Sequence, residues 1–302
     1  MRKVTVRLPA TITHIGPALR SLGLALGLYA TVEISERADN QLIVDTAGEG
    51  AGHYSIGLRH PVTLALMRVF QRLERAPTGV HIRVNSQIPV GAGLGAEAAF
   101  WVAGIIGANN LLGLSLSREE ILQLSARLVP EPDNAAAALL GGLSSGLMQD
   151  NRLIHRSLPV APLLLVVVVP TIEDYPEQLS TPDVIPWNDA LHNLSQIPLL
   201  LEGFRSGDVQ LITQTLDDRL VNPRLQPRIP GYHHVRETAR LAGASGVTIA
   251  GTGPALIAFA ARDHQQIAEA MVAAFSNAGI AARAWVVPVD TQGVVLSAVQ
   301  SS

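Results

Sequence analysis

The 302-residue chain contains no cysteine, which excludes disulfides, thiolate zinc sites and cysteine nucleophiles together and fits a cytoplasmic protein. It lacks any run of lysine or arginine and carries a formal net charge of −3, so it offers no electrostatic footprint for nucleic acid or an anionic membrane. Long hydrophobic runs are missing too. The longest aliphatic stretch, 163–169, lies between Pro162 and Pro170. That is far short of the roughly 20 residues that span a bilayer, and it reads as a strand buried on both faces. The opening MRKVTVRLPA alternates like a strand and lacks the apolar core of roughly 7–15 residues that a signal peptide needs; the expected location is therefore the cytoplasm. No internal repeat or low-complexity tract is visible. What remains, 48% hydrophobic and 16% charged, suffices for a sizeable core in two domains and points to small-molecule chemistry.

Strand-like segments at 3–8, 30–34, 41–44 and 80–84 mix with helical spacing over 61–73 and 98–112, an α+β pattern. Ser117 and Glu120 form a capping box ahead of Ile121, Leu124 and Leu128, so a helix should begin at Ser117. Pro130 and Pro132 end it. The stretch 135–140 is helix-prone and Gly141-Gly142 closes it. Pro159 and Pro162, just ahead of the buried strand, mark the change of domain and divide the chain into 1–157 and 158–302. Beyond them the spacing predicts helices over 187–204, 209–220, 232–242 and 265–278, an irregular proline-rich stretch over 223–230, and strands at 247–250 and 255–261. Between those two strands lies a glycine turn, Gly251-Thr252-Gly253-Pro254.

The most informative stretch is IPVGAGLGAEAA at 88–99. Three closely spaced glycines join a strand-like segment to an alanine-rich helix, a junction built to hold an anion. Glycine lets the backbone turn its N–H groups into a shared concavity, and the helix start adds about half a positive charge. Glu97, in the first helical turn, works against this. Two like unit charges about 4 Å apart cost roughly 4 kcal/mol at an effective dielectric near 20, so a triphosphate needs Mg²⁺ between itself and that carboxylate.

PATITHIGPALRSLGLAL near the start, IPVGAGLGAEAA, PDNAAAALLGGL, DALHNLS, DDRL followed by RIPGYHHVRETA, and GVTIAGTGPALIAFA resemble, in order and spacing, the motifs of homoserine kinases within the GHMP kinase superfamily. The likeness runs over nearly the whole chain. It implies a two-domain α+β fold, with an N-terminal domain carrying the phosphate loop and a C-terminal ferredoxin-like domain whose glycine turn meets that loop at the cleft. It also implies transfer of the γ-phosphate of Mg·ATP to the hydroxyl of L-homoserine, a step of threonine biosynthesis. An exposed edge of the C-terminal sheet would support a homodimer.

Carried over residue by residue, the resemblance implies a nucleotide site at Pro89, Val90, Gly91, Ala92, Gly93, Leu94, Gly95, Ala96 and Glu97, completed by Gly251, Thr252 and Gly253. Thr252 either bonds a phosphate or fills the turn. Asn134 is the residue that the family sets near the reacting hydroxyl, and Asp133 goes with it as a catalytic candidate. Elsewhere the chain departs from the pattern. Ala96 and Glu97 replace a serine pair that helps hold Mg²⁺, which leaves Glu97 as the metal candidate. Val129 stands where the metal-completing glutamate falls, and Glu131 takes its place only if the path of the chain shifts. At the substrate end, His14 and Arg20 replace an asparagine and an aspartate, Pro182 replaces an arginine, and Arg224 is displaced by one position from another. An aspartate accepts an ammonium, whereas Arg20 prefers carboxylate or phosphate. Two further readings follow: a related kinase whose acceptor is anionic and has no ammonium, and a catalytically silent binding protein. Asp217, Asp218 and Arg219 read as a helix-end ion pair.

Overall fold

The computed structural model describes residues 2–129, 131–176 and 184–300. The first half runs β1 (Arg2–Ile15), β2 (Ala18–Arg37), β3 (Leu42–Gly48), α1 (Pro61–Leu73), β4 (Gly79–Ser86), α2 (Ala96–Leu111), α3 (Arg118–Leu128), α4 (Pro132–Leu140), β5 (Leu143–Gln149) and β6 (Arg152–Leu158). The second half runs β7 (Leu164–Pro170), α5 (Trp187–Ser206), α6 (Val209–Gln214), α7 (Asn222–Leu225), α8 (Tyr232–Leu241), β8 (Gly246–Ile249), β9 (Leu256–Phe259), α9 (His264–Asn277), β10 (Ala282–Pro288) and β11 (Val295–Gln300). No helix among the described residues is long and apolar enough to cross a membrane.

Two sheets result. The first has seven strands in the order β11-β1-β2-β4-β3, with β5 paired to β2 and β6 to β5; only β3 and β4 run parallel. The second is antiparallel in the order β10-β7-β9-β8, the ferredoxin-like arrangement. The chain leaves the first sheet after Leu158 and enters the second at Leu164, beside the expected division at 157/158, but β11 returns to the first sheet alongside β1.

Sequence patterning explains most elements. In α1, His60 caps the start by accepting the Val62 N–H at 3.2 Å and Pro61 supplies a ready-made first turn. The capping box of Ser117 and Glu120 is present at the head of α3. Helix α2 is apolar on nearly every side and is accordingly buried along its length. Strand β7 is covered on both faces, as its unbroken aliphatic run predicts: Leu165, Val167 and Val169 enter the core shared with the first sheet, while Val166 and Val168 pack toward α8 and α9.

Three segments differ from expectation. The helix read over 209–220 stops at Gln214 because the following chain wraps around the buried carboxylate of Asp218. That carboxylate accepts the Asn193 side-chain amide (2.7 Å) and the backbone N–H groups of Leu220 (2.8 Å), Val221 (3.1 Å) and Asn222 (2.7 Å). Asp218 is thus no ion-pair partner; Arg219 reaches only Asp189 and Asp217, each at 3.9 Å. The proline-rich stretch is helical, forming α7 and a 3₁₀ turn at Gln226–Arg228, since prolines sit in the first turn of each. Pro132 likewise opens α4 rather than only ending α3; Pro130 and Pro182 lie outside the described residues.

Backbone bonds bring three distant segments together. Thr11 on β1 donates its N–H to Leu94 O (3.0 Å), Ala255 donates to Ala92 O (3.1 Å), and Gly251 donates to Thr13 O (2.9 Å). The glycine loop, β1 and the glycine turn are therefore one unit. Gly93 stands at φ +78°, and a Cβ there would collide with the Ala250 carbonyl oxygen. Gly52 has a similar φ of +80° with open space around it. Gly93→Ala should therefore destabilise the protein by roughly 2–4 kcal/mol, against about 1 kcal/mol for Gly52→Ala, in paired denaturant melts.

Candidate active site

The expected loop residues line one cleft. Pro89, Val90, Gly91, Ala92, Gly93, Leu94, Gly95, Ala96 and Glu97 enclose a hollow of about 160 Å³ together with Tyr54, Ala98, Glu131, Asn134 and Thr252. Gly91, Gly93 and Gly95 stand at φ +68°, +78° and +71°, the left-handed region that turns successive N–H groups to one side. Gly95 is also the N-cap of α2 and supplies no side-chain cap, so the first N–H groups of that helix are left for a ligand. A Cβ on Gly95 would run into the Thr11 hydroxyl. Across the cleft, Tyr175 donates its hydroxyl to Thr252 O at 2.7 Å, bracing the glycine turn. Burial pushes that phenol up to about 12. Thr252 itself lines the cleft, while Gly251 and Gly253 pack against Gly93.

A larger hollow of about 460 Å³ lies between α6, α8 and β8. It contains no glycine-loop residue, and its Glu237 and Arg240 pair with each other at 2.7 Å. The smaller cleft carries the chemistry-bearing groups.

No lysine or arginine lines the glycine-loop cleft among the described residues, but two carboxylates do. Glu97 is exposed and accepts the Trp101 indole N–H at 3.2 Å, one turn along α2. Glu131, the N-cap of α4, is the second. Val129, where the resemblance sets an acid, is buried at the end of α3 and does not line the cleft.

Glu131 is held from three sides. Its Oε2 accepts the Thr13 hydroxyl (2.7 Å) and the Asn134 amide (3.0 Å), and its Oε1 lies 3.6 Å from His14 Nε2. Asn134 Oδ1 accepts the Thr11 hydroxyl at 2.7 Å. Asp133 and Asn134 therefore sit inside the first turn of α4, and neither caps it.

Behind this row lie His14 and Asp133, 4% and 2% exposed. Among the described residues no side chain bonds the His14 ring nitrogens or the Asp133 carboxylate oxygens; backbone groups of Gly251, for His14, and of Asp133 and Asn134, for Asp133, are the polar groups beside them. Burial lowers the His14 pKa, against the pull of Glu131. Burial, aided by the Glu131 charge, pushes Asp133 up to about 7. Arg20 is exposed, within electrostatic reach of both. Arg224, on α7, does not line the cleft. Thr11, Thr13, Tyr54 and Tyr175 were not legible as site residues; the threonines alternate on β1 within the first motif, but one strand does not reveal what its threonines face.

A glycine loop feeding a helix start, backed by an asparagine and carboxylates and closed by a second glycine turn, defines a phosphate-binding small-molecule kinase of the GHMP type. Residues 62–142 match the GHMP kinases N terminal domain. The chain is 35% identical over 278 residues to the homoserine kinase of Moorella thermoacetica, covering 91% of this chain and 93% of that protein. It is 36% identical over 307 residues to the homoserine kinase of Parasynechococcus marenigrum, covering 97% and 95%. The crystal structure of homoserine kinase from Cytophaga hutchinsonii superposes with a TM-score of 0.85 at 25% identity, over 98% of this chain and 97% of that one. The protein belongs to the homoserine kinase family of the GHMP kinases.

The Asp133 environment has a measurable consequence. The folded protein keeps this proton up to about pH 7, whereas an unfolded chain loses it near 4. The native state thus binds the extra proton, and its stability falls as pH rises through that window. Asp133→Asn, which mimics the protonated form, should leave stability nearly unchanged near pH 4 and raise it by up to roughly 4 kcal/mol at pH 8 in denaturant melts.

Proposed function

We propose that this protein transfers the γ-phosphate of ATP to the side-chain hydroxyl of L-homoserine, giving O-phosphohomoserine for threonine biosynthesis. The observation that carries this reading is the joining of glycine loop, Asn134 and Glu131 in one cleft, in a chain related over nearly its full length to homoserine kinases. Phosphoryl transfer asks mainly for positioning and charge neutralisation, and these residues offer both.

The backbone N–H groups of the loop and of the α2 start cradle the phosphates, with Thr252 closing the opposite wall. Asn134 orients the acceptor: its Oδ1 already accepts from Thr11 and keeps a second lone pair for the substrate hydroxyl. Thr11 and Glu131 fix the amide's direction. No dedicated general base is required, because a loose transition state needs little activation of the nucleophile.

The residues also fit Mg²⁺. Two carboxylates and no cationic side chain line the cleft, so a bound triphosphate needs a divalent counter-charge. Mg²⁺ uses one or two carboxylates together with phosphate oxygens and water. Glu97 is the carboxylate that would hold it: it is exposed at the start of α2, beside the glycine loop, with Oε1 accepting from Trp101. When bound, the ion neutralises charge on the transferring phosphoryl group.

Two measurements test this. Calorimetric titration of the wild type with ATP should show binding that requires Mg²⁺, and Glu97→Ser should need more Mg²⁺ for the same ATP affinity. Wild-type enzyme with Mg·ATP and homoserine should yield O-phosphohomoserine by phosphorus NMR, with kcat lowered roughly 10²–10³-fold in Asn134→Ala. A wild type that turns over no homoserine with Mg·ATP refutes the assignment.

A further inference from the structure

The glycine turn that closes the cleft is held by a side chain from outside it. Ala250 to Gly253 form a β-turn in which Gly253 donates its N–H to Ala250 O at 2.8 Å. Gly251 (φ +53°) and Gly253 (φ +81°) both stand in the left-handed region. Peptide planes flanked by glycine turn over with little steric resistance, so such a turn needs outside contacts to stay in one form. Gly251 is tied to β1 through Thr13 O (2.9 Å), and Ala255 to the glycine loop through Ala92 O (3.1 Å). The peptide between Thr252 and Gly253 lies between those anchors, and its carbonyl is held by the Tyr175 hydroxyl at 2.7 Å.

Tyr175 is built into that place. It lies in the chain that follows β7 and packs, half-buried, against the core of the second sheet. A Cβ on Gly253 would come within 2.5 Å of its hydroxyl oxygen, so the phenol reaches the turn only because that residue is glycine. Burial pushes the phenol up to about 12, and the hydroxyl therefore remains a donor throughout the neutral range. Thr252, also half-buried, lines the phosphate cleft together with the glycine loop, Glu131 and Asn134. Among the described residues no group bonds its N–H or its hydroxyl. A residue with both donors open to the cleft thus sits on a turn whose central carbonyl is fixed by one phenol.

We propose that Tyr175 is a positioning residue for phosphoryl transfer: its hydroxyl fixes the Thr252 carbonyl, and the turn so held presents the Thr252 hydroxyl to a phosphate oxygen of the bound nucleotide. The assignment rests on the kinase reading above and deepens it, since it names the contact that the second half of the chain makes with the nucleotide and the residue that sets it. Tyr175 itself touches neither reactant. Without its hydrogen bond the peptide between Thr252 and Gly253 is free to turn over, and the Thr252 hydroxyl loses its fixed direction. Donors held in place before the ligand arrives bind it without an ordering cost.

Three variants test it. Tyr175→Phe keeps the ring and its packing and removes only the hydroxyl, Thr252→Ala removes the hydroxyl and keeps the backbone, and the third combines the two. Binding of a non-hydrolysable ATP analogue with Mg²⁺ is read by calorimetry, and KM and kcat are read with homoserine as acceptor. One hydrogen bond corresponds to about 2- to 10-fold. Each single variant should weaken analogue binding and raise the KM for ATP by that factor, with the KM for homoserine unchanged. The double variant should bind no more weakly than the weaker single variant, because Tyr175 acts through Thr252. Losses that multiply in the double variant overturn the assignment, and so does either single variant with unchanged analogue binding. A Tyr175→Phe protein that melts earlier yet binds the analogue as the wild type does makes the residue purely structural and overturns it too. So does a rise confined to the KM for homoserine. A wild type that binds no analogue overturns the kinase reading itself, a result distinct from a binding wild type whose variants do not differ from it.

Discussion

The site depends on a short set of backbone hydrogen bonds among segments far apart in the sequence. Thr11 N–H reaches Leu94, Ala255 N–H reaches Ala92, and Gly251 N–H reaches Thr13. Because all partners are main-chain groups, the three segments must approach to backbone contact, and a side chain at Gly93 or Gly95 would block that approach. Buried peptide groups are costly to leave unpaired. The same bonds that satisfy them therefore fix the loop against β1 on one side and against the second sheet on the other. The concavity is built before any ligand arrives, which is what pre-organised binding of phosphate requires.

Charge in the cleft is arranged unusually. A phosphate loop with no lysine or arginine beside it among the described residues, and with two carboxylates in the lining, gains nothing from side-chain attraction in holding a nucleotide. Under the proposed function, backbone dipoles and a divalent cation would hold it. Position 129, where the resemblance sets an acid, is a buried valine. Glu131, two positions on, lines the cleft, bonded to Asn134 and Thr13.

Much of the fold was legible in the amino-acid sequence. Helix α1 matches its apolar spacing residue for residue, the capping box starts α3, and the unbroken aliphatic run of β7 reads as a strand covered on both faces. The early end of α6 at Gln214 was not legible, because it depends on the buried Asp218 collecting backbone donors from the chain that follows. Nor were the β5–β6 hairpin and the first half of β2, whose glycine and serine content masks their alternation.

The sequence alone determined the glycine loop, the second glycine turn and Asn134, since local backbone freedom and side-chain type are properties of individual residues. Only the tertiary structure decided that Glu131 enters the cleft, that His14 and Asp133 are buried behind it, and that Arg20 is exposed on a bulge. Burial and strain are set by what packs against a residue from elsewhere in the chain. That Glu131 lines the cleft follows only once the helix start that carries it is located against Thr13 on β1.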